Sequence, residues 1–263
     1  MREAHEKPKG MLSIGRDRRP FLDYLLLNAR DGGITTVVIV IGEADQTIPA
    51  RYGNQRSPVI PGLAISFVRQ PIPSGRTKPL GTADALLRAL DARPQWKGAT
   101  FVVCNSDNLY SARAFRLLLQ TPSRNALIAY ARSALRLNPS RVAGFAFIDQ
   151  TTDGFVTDIV EKPDAATLQK LEASPSPPGV SMNIFRLEVD LISPFLVSVP
   201  PSPVRDEKEL PTAVAMMARS HPGSLRALPL AEHVPDLTQL DDIAEVQRYL
   251  RSPDDPHRLP NKE

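Results

Sequence analysis

The stretch FVVCNSDNLY, residues 101–110, sets a short apolar, β-branched run against a small polar cluster carrying one carboxylate, Asp107. Residues 101–104 have the composition of a fully buried strand in a parallel sheet, so Asn105, Ser106 and Asp107 emerge at its carboxyl end. Open α/β sheets bind ligands at that edge. A hard carboxylate there suits Mg²⁺, which works with one or two carboxylates plus substrate phosphates. The same residues also fit a loop aspartate capping the next helix, and both readings stand at this point. His5, His221, His233 and His257 lack metal-ligand spacing. Cys104, the single cysteine, excludes an internal disulfide and reads as a buried, inert thiol. Trp96, Met216 and Met217 read as packing residues.

The elements that must position this cluster alternate between helical and strand periodicity. Residues 1–14 form a polar entry in which Pro8, Lys9 and Gly10 mark a loop. Pro20 stands where a first helical residue belongs, and Phe21, Leu22, Leu25, Leu26 and Ala29 recur at helical spacing before Gly32 and Gly33. Strands are predicted over 34–41 (ITTVVIVI) and 63–70. A proline-rich loop then leads to Gly81 and Thr82, with Thr82 the expected N-cap of a helix over 83–90. Further on, the pattern predicts a helix over 112–120, a strand over 126–131, and a hairpin of strands 141–149 and 155–161. A short helix over 165–171, a loop at 174–179, a strand over 180–187 and a helix to about 196 follow. A second proline-rich loop covers 199–204, residues 207–220 are helical apart from Pro211, and a strand (225–230) and a helix (240–250) precede a tail from 252. This alternation predicts an α/β protein.

The chain has 263 residues, ample for a real core, and its 42% hydrophobic content is that of a globular protein. Its net charge of +3 mildly favours anionic ligands, but 32 basic residues against 29 acidic ones make a mixed surface, with a tight basic cluster only at Arg16, Arg18 and Arg19. A nucleic-acid partner is not inferred from that. The polar start and the short apolar run at 37–41 lead us to expect a cytoplasmic protein without a membrane partner.

Several motifs carry a family resemblance. PKGMLSIG at 8–15 resembles P-K-P-M-L-P-I-G, with Lys9 at the lysine and Gly10 and Ser13 in place of the later prolines. GITTVVIVIG at 33–42 is similar to a strand that follows a first helix; PLGTADAL at 79–86 resembles the nucleotide-binding P-L-G-T-A-x-A-L. VCNSDNLYS at 103–111 resembles V-x-N-G-D-N-L-Y, and IVEKP at 159–163 resembles the sugar-binding V-E-K-P. In this order, across most of the chain, they resemble the sugar-1-phosphate nucleotidyltransferases, the NTP-transferase group that makes nucleoside-diphosphate sugars.

The resemblance implies a Rossmann-like three-layer α/β fold with a mixed central sheet. It implies a single domain over 1–251, with 1–135 mainly binding nucleotide, 136–251 mainly binding sugar phosphate, and 252–263 a tail. The family couples a hexose 1-phosphate to an NTP by in-line attack on the α-phosphorus, releasing pyrophosphate. The nucleophile is already an anion, so catalysis rests on positioning and charge neutralisation. By resemblance, Asp107 holds Mg²⁺ together with Asp236 of VPDLTQLDD, Lys9 faces the triphosphate and Lys162 the sugar phosphate. Glu161 accepts hydrogen bonds from sugar hydroxyls, Gly144 lies beside the sugar, and Asn183 stands on the substrate side in place of a frequent glycine. Gln70, Gly81 and Thr82 match the base and ribose positions, Gly81 where a side chain obstructs close backbone approach. Family members commonly assemble, so a homo-oligomer is compatible with the resemblance. Plain alternatives remain: Lys9 and Lys162 as solvated lysines, Glu161–Lys162 as a turn pair, and Asp236 as an N-terminal aspartate of the last helix.

The departures carry expectations of their own. The family begins with a buried strand and a G-x-G-T-R loop, whereas Met1 and Arg2 stand where residues just after that arginine fall. We therefore expect a true start upstream and weak or absent activity in this form, the first strand of the sheet being missing, with edges bared at 34–41 and 101–104. The loop over 71–78 is longer than usual between Gln70 and the PLGTA motif, which leaves the role of Gln70 open, and Ser106 replaces another frequent glycine. A sugar-nucleotide-binding regulatory pseudoenzyme or partner subunit is the alternative. A glycosyltransferase of similar architecture is disfavoured by the Lys162 motif and the lack of D-x-D.

Overall fold

Pro20 caps the first helix from outside, with extended φ −61 and ψ 152, and α1 (Phe21–Asp31) starts one residue later than the sequence pattern suggests. A computed structural model describes residues 8–14, 19–54, 58–136, 145–161, 163–164, 166–167, 169, 173, 178–238 and 242–250. Among these, α1 leads into β1 (Thr36–Gly42), which pairs in parallel with β2 (Ala64–Gln70) from Thr36↔Ala64 to Gly42↔Gln70. Between them lies α2 (Thr47–Tyr52), docked on α1 by Asp23, which accepts from Tyr52 Oη at 2.6 Å and Arg51 Nε at 2.9 Å.

The remaining strands form a second sheet. They are β3 (Thr100–Cys104), β4 (Asn125–Tyr130), β5 (Ala146–Gln150), β6 (Val156–Glu161), β7 (Gly179–Glu188) and β8 (Leu225–Leu230). The order is β6-β5-β7-β4-β8, with β3 sharing the β5 side of the long β7. Strand β7 runs antiparallel to β3, β4 and β5, and β4 runs parallel to β8, so the sheet is mixed.

Helices α3 (Thr82–Asp91), α5 (Val189–Ser198) and α6 (Leu210–Ser220) share one apolar core. Helices α1, α2, α4 (Ala112–Gln120) and α7 (Asp242–Tyr249) share the other, which gives three layers. Pro211 is tolerated because it sits in the first turn of α6, where its missing N–H has no helical partner.

Two expectations about β3 are corrected. It pairs antiparallel, because β7 inserts beside it, and all five of its residues are half-buried rather than enclosed. Among the described residues β1 pairs with β2 alone and β3 with β7 alone, so each keeps one edge without a strand partner. These are the edges for which exposure was expected, and the apolar residues of β1 are correspondingly half-buried up to Ile41. The starts of the expected 141–149 strand and 1–14 entry, most of the 165–171 helix and the tail fall outside the described residues. No helix among the described residues is long and apolar enough to cross a membrane.

Candidate active site

Asp107 lies in the loop after β3, and that loop is zipped to the segment preceding α7. Leu109 N donates to Pro235 O at 2.9 Å, Leu237 N donates to Asp107 O at 2.8 Å, and Asn108 and Asp236 form a β-bridge. Two aspartates far apart in sequence thereby become neighbours. Burial and the nearby Asp236 charge raise the Asp107 pKa above the ordinary carboxylate range, against a smaller opposing pull from a backbone hydrogen bond and Lys9. Asp236 is 5% exposed and its Oδ1 accepts from Thr238 Oγ1.

The helix-cap alternatives fall away at both positions. Ser111 caps α4, its hydroxyl accepting from Ala114 N at 3.1 Å, and Asp236 precedes the first turn of α7. Lys9 sits on a short 3-10 turn, Lys9–Met11, where a loop was expected; its ammonium donates to the Thr238 carbonyl and its charge acts on Asp107.

A pair of mutually repelling carboxylates, one half-buried and one buried, fits a divalent cation that takes oxygen ligands and completes its shell with phosphate and water. Among the described residues no group of three or more His, Cys, Asp or Glu converges.

Gln70, Gly81 and Thr82 also come together, despite the long 71–78 loop. Gln70 Nε2 donates to Gly81 O at 2.9 Å and to Asp84 Oδ2 at 2.8 Å. Gly81, not Thr82, is the N-cap of α3, with φ 108 and ψ −173. A Cβ on Gly81 would stand 2.6 Å from Lys208 O and 2.9 Å from Glu207 Cβ, so the close approach seen here is to this chain's own backbone. The Thr82 hydroxyl serves a different helix, accepting from Leu210 N at 2.9 Å at the start of α6. Lys208 N donates to Leu80 O, Ala83 N to Lys208 O at 2.9 Å, and ion pairs Arg76–Asp206 (2.6 Å) and Lys78–Glu207 (2.8 Å) extend this clasp.

On β7, Asn183 has φ +59, the left-handed backbone a glycine would take without strain, which accords with its standing in a glycine's place. It occupies the bulge where three residues of β7 oppose Ile128, and its Oδ1 is buried without a partner among the described residues. Tyr110, fully buried, pins that bulge to the Asp107 loop by donating from Oη to Met182 O. Glu161 is exposed at the end of β6. Lys162 and Gly144 lie outside the described residues. Asp84, Thr238 and Tyr110 were not singled out by sequence reasoning. A carboxylate in the first turn of the otherwise apolar helical face at 83–90 was the one available signal, for Asp84.

Helical layers on a mixed sheet, with Asp107, Asp236 and Lys9 gathered beyond the end of β3, define an α/β protein. The chain belongs to the nucleotidyl transferase family, whose model matches residues 4–193. It is 25% identical over 147 residues to the bifunctional protein GlmU of Staphylococcus epidermidis, covering 56% of this chain and 29% of that protein. It is 23% identical over 236 residues to GlmU of Trichlorobacter lovleyi, covering 89% and 46%. The chain thus spans less than half the length of these curated relatives. A UDP-glucose pyrophosphorylase complexed with UDP-glucose superposes with TM-score 0.67 at 20% identity, over 92% of this chain and 89% of that one. A UTP-bound UGPase from Acinetobacter baumannii gives TM-score 0.68 at 18% identity, over 95% and 89%. This likeness shows the fold.

Proposed function

We propose that the chain handles a nucleoside triphosphate and a hexose 1-phosphate, joining them into an NDP-sugar with release of pyrophosphate. The observation that carries this reading is the zipping of the Asp107 loop to the Asp236 segment, which sets two carboxylates side by side with Lys9 next to them. In this reading Asp107 and Asp236 hold Mg²⁺, which when bound neutralises phosphate charge. Lys9 exchanges its Thr238 contact for a phosphate oxygen, and Gln70, Gly81 and Thr82 border the nucleotide. Glu161 and Asn183 face the sugar, with Lys162 on its phosphate and Gly144 beside it, so 1–135 is mainly the nucleotide part and 136–251 mainly the sugar-phosphate part. The attacking phosphate oxygen is an anion, so these residues orient and neutralise rather than move protons.

Among the described residues the Lys9 ammonium is engaged by the Thr238 carbonyl, and the close approach to Gly81 is made by this chain's own backbone, which favours a second reading, a sugar-nucleotide-binding regulatory protein or partner subunit. Pyrophosphate release is to be measured with each common NTP, glucose 1-phosphate or N-acetylglucosamine 1-phosphate, and Mg²⁺, alongside calorimetric binding of the same compounds. Mg²⁺-dependent release supports the transferase; binding without release supports the second reading; neither binding nor release removes both.

A further inference from the structure

Gln70 sits at the carboxyl end of β2, 8% exposed, and its amide is held in an orientation that chemistry alone decides. Both groups against its terminal nitrogen, the Gly81 carbonyl at 2.9 Å and the Asp84 carboxylate at 2.8 Å, are acceptors, so the nitrogen must face them and the oxygen must face away. Both N–H bonds are then engaged within the protein. Asp84 is itself 4% exposed and braced on its other oxygen by Arg88 at 3.2 Å. Gln70 Oε1 has no donor among the described residues.

We propose that Asp84 is a positioning residue that fixes Gln70 as a pure acceptor, so that a base bound there must bring an N–H group to Gln70 Oε1. The inference rests on the reading of Gln70 and Gly81 as bordering a nucleotide. It explains why a carboxylate occupies a buried place on the first turn of α3: an apolar residue there would leave the Gly81 carbonyl as the one acceptor holding the Gln70 amide, and the flipped orientation would gain population. Selection then works through mismatch, because an acceptor opposed to an acceptor on the wrong base leaves both unpaired.

The test titrates the full chain and its Asp84→Ala and Asp84→Asn variants by calorimetry with UTP, dTTP, GTP, ATP, CTP and inorganic tripolyphosphate. In Asp84→Ala the preferred triphosphate binds about tenfold more weakly and its lead over the other bases shrinks to match, the worth of one buried hydrogen bond. Tripolyphosphate binding stays as in the unaltered chain. Asp84→Asn, which still offers a carbonyl to Gln70 Nε2, keeps the original ranking. An unchanged ranking in folded Asp84→Ala overturns the proposal while leaving the nucleotide reading intact; failure of the unaltered chain to bind any triphosphate overturns both. Should Asp84→Ala not fold, the side-chain amide protons of Gln70 in the unaltered chain decide by nuclear magnetic resonance. Slow solvent exchange of both supports the fixed orientation, and exchange at the rate of free glutamine overturns it.

Discussion

Replacing Gly81 by alanine separates two reasons for a glycine at that position. Its backbone, φ 108 and ψ −173, lies in a region that only glycine enters freely, at a cost of about 1–3 kcal/mol for another residue. The added Cβ also meets Lys208 O at 2.6 Å and Glu207 Cβ at 2.9 Å, contacts too short to exist, and shifting a packed backbone to relieve them costs about 1–3 kcal/mol more. Together these give roughly 2–6 kcal/mol, which at about 2–4 °C per kcal/mol for a chain of this size lowers the melting temperature by about 5 to 20 °C. Thermal unfolding followed by circular dichroism, without ligand, measures it. Gly75→Ala is the control, because Gly75 has a positive φ of +81 but nothing within 4 Å of its added Cβ; it isolates backbone strain from collision. Equal shifts in the two variants would refute the clasp as the reason for Gly81. An unshifted Gly81→Ala that loses only triphosphate binding would return the position to the ligand.

Three further outcomes follow from charge. The Asp107 pKa is raised by burial and by Asp236, so its ionised form costs stability above that raised pKa and the cost lifts as pH falls through it. Asp107→Asn should therefore raise the melting temperature of the metal-free chain near neutral pH while abolishing any gain on adding Mg²⁺; calorimetry showing a drop without metal would contradict the repulsion. Cys104 is half-buried as a residue, yet enclosure of its thiol pushes it up to about 12, so iodoacetamide at pH 8 should label it about a thousandfold more slowly in the native chain than in urea. Comparable rates would mean the thiol is open. His233 accepts from Arg136 N at 3.1 Å through Nδ1, and burial with the Arg136 charge lowers it to about 4. The unfolded chain takes up that proton first, so stability of about 2–3 kcal/mol is lost as pH falls from about 6.5 to 4. Urea unfolding of His233→Gln at pH 7 and pH 5 should show a smaller loss than the unaltered chain, and an equal loss refutes the assignment.

What the sequence made legible was local. The β-branched runs at 36–42 and 100–104 and the helical spacing of 21–31 and 112–120 are patterns that short stretches carry by themselves. Helix α2 was not legible, because TIPARY has a proline at its centre and owes its place to Asp23, more than a helix away, which binds Arg51 and Tyr52. The direction of β3 was not legible either, since nothing within TFVVC shows that β7, coming much later, enters antiparallel beside it. Thr82 looked like an N-cap because threonine before an apolar helical run usually is one; the structure gives that place to Gly81 and turns the hydroxyl to α6. The juxtaposition of Asp107 and Asp236 came from family resemblance and has its physical cause in the bridge between Asn108 and Asp236, a pairing invisible to periodicity.

The long loop between Gln70 and Gly81 shows why loop length alone does not set where the two ends of a loop lie. Lengthening a loop adds closure entropy only as the logarithm of its length, a few tenths of a kcal/mol for a few residues. What fixes the relation of Gln70 to Gly81 is instead what the loop's far end is tied to. The ion pairs Arg76–Asp206 and Lys78–Glu207 involve exposed groups and contribute little individually. The backbone bonds of Leu80 and Ala83 with Lys208, together with Leu210 N to the Thr82 hydroxyl, anchor the start of α3 to the start of α6. With that anchor set, β2 delivers Gln70 and α3 delivers Gly81 and Asp84 to one place, and the residues between are free to vary in number without moving the site.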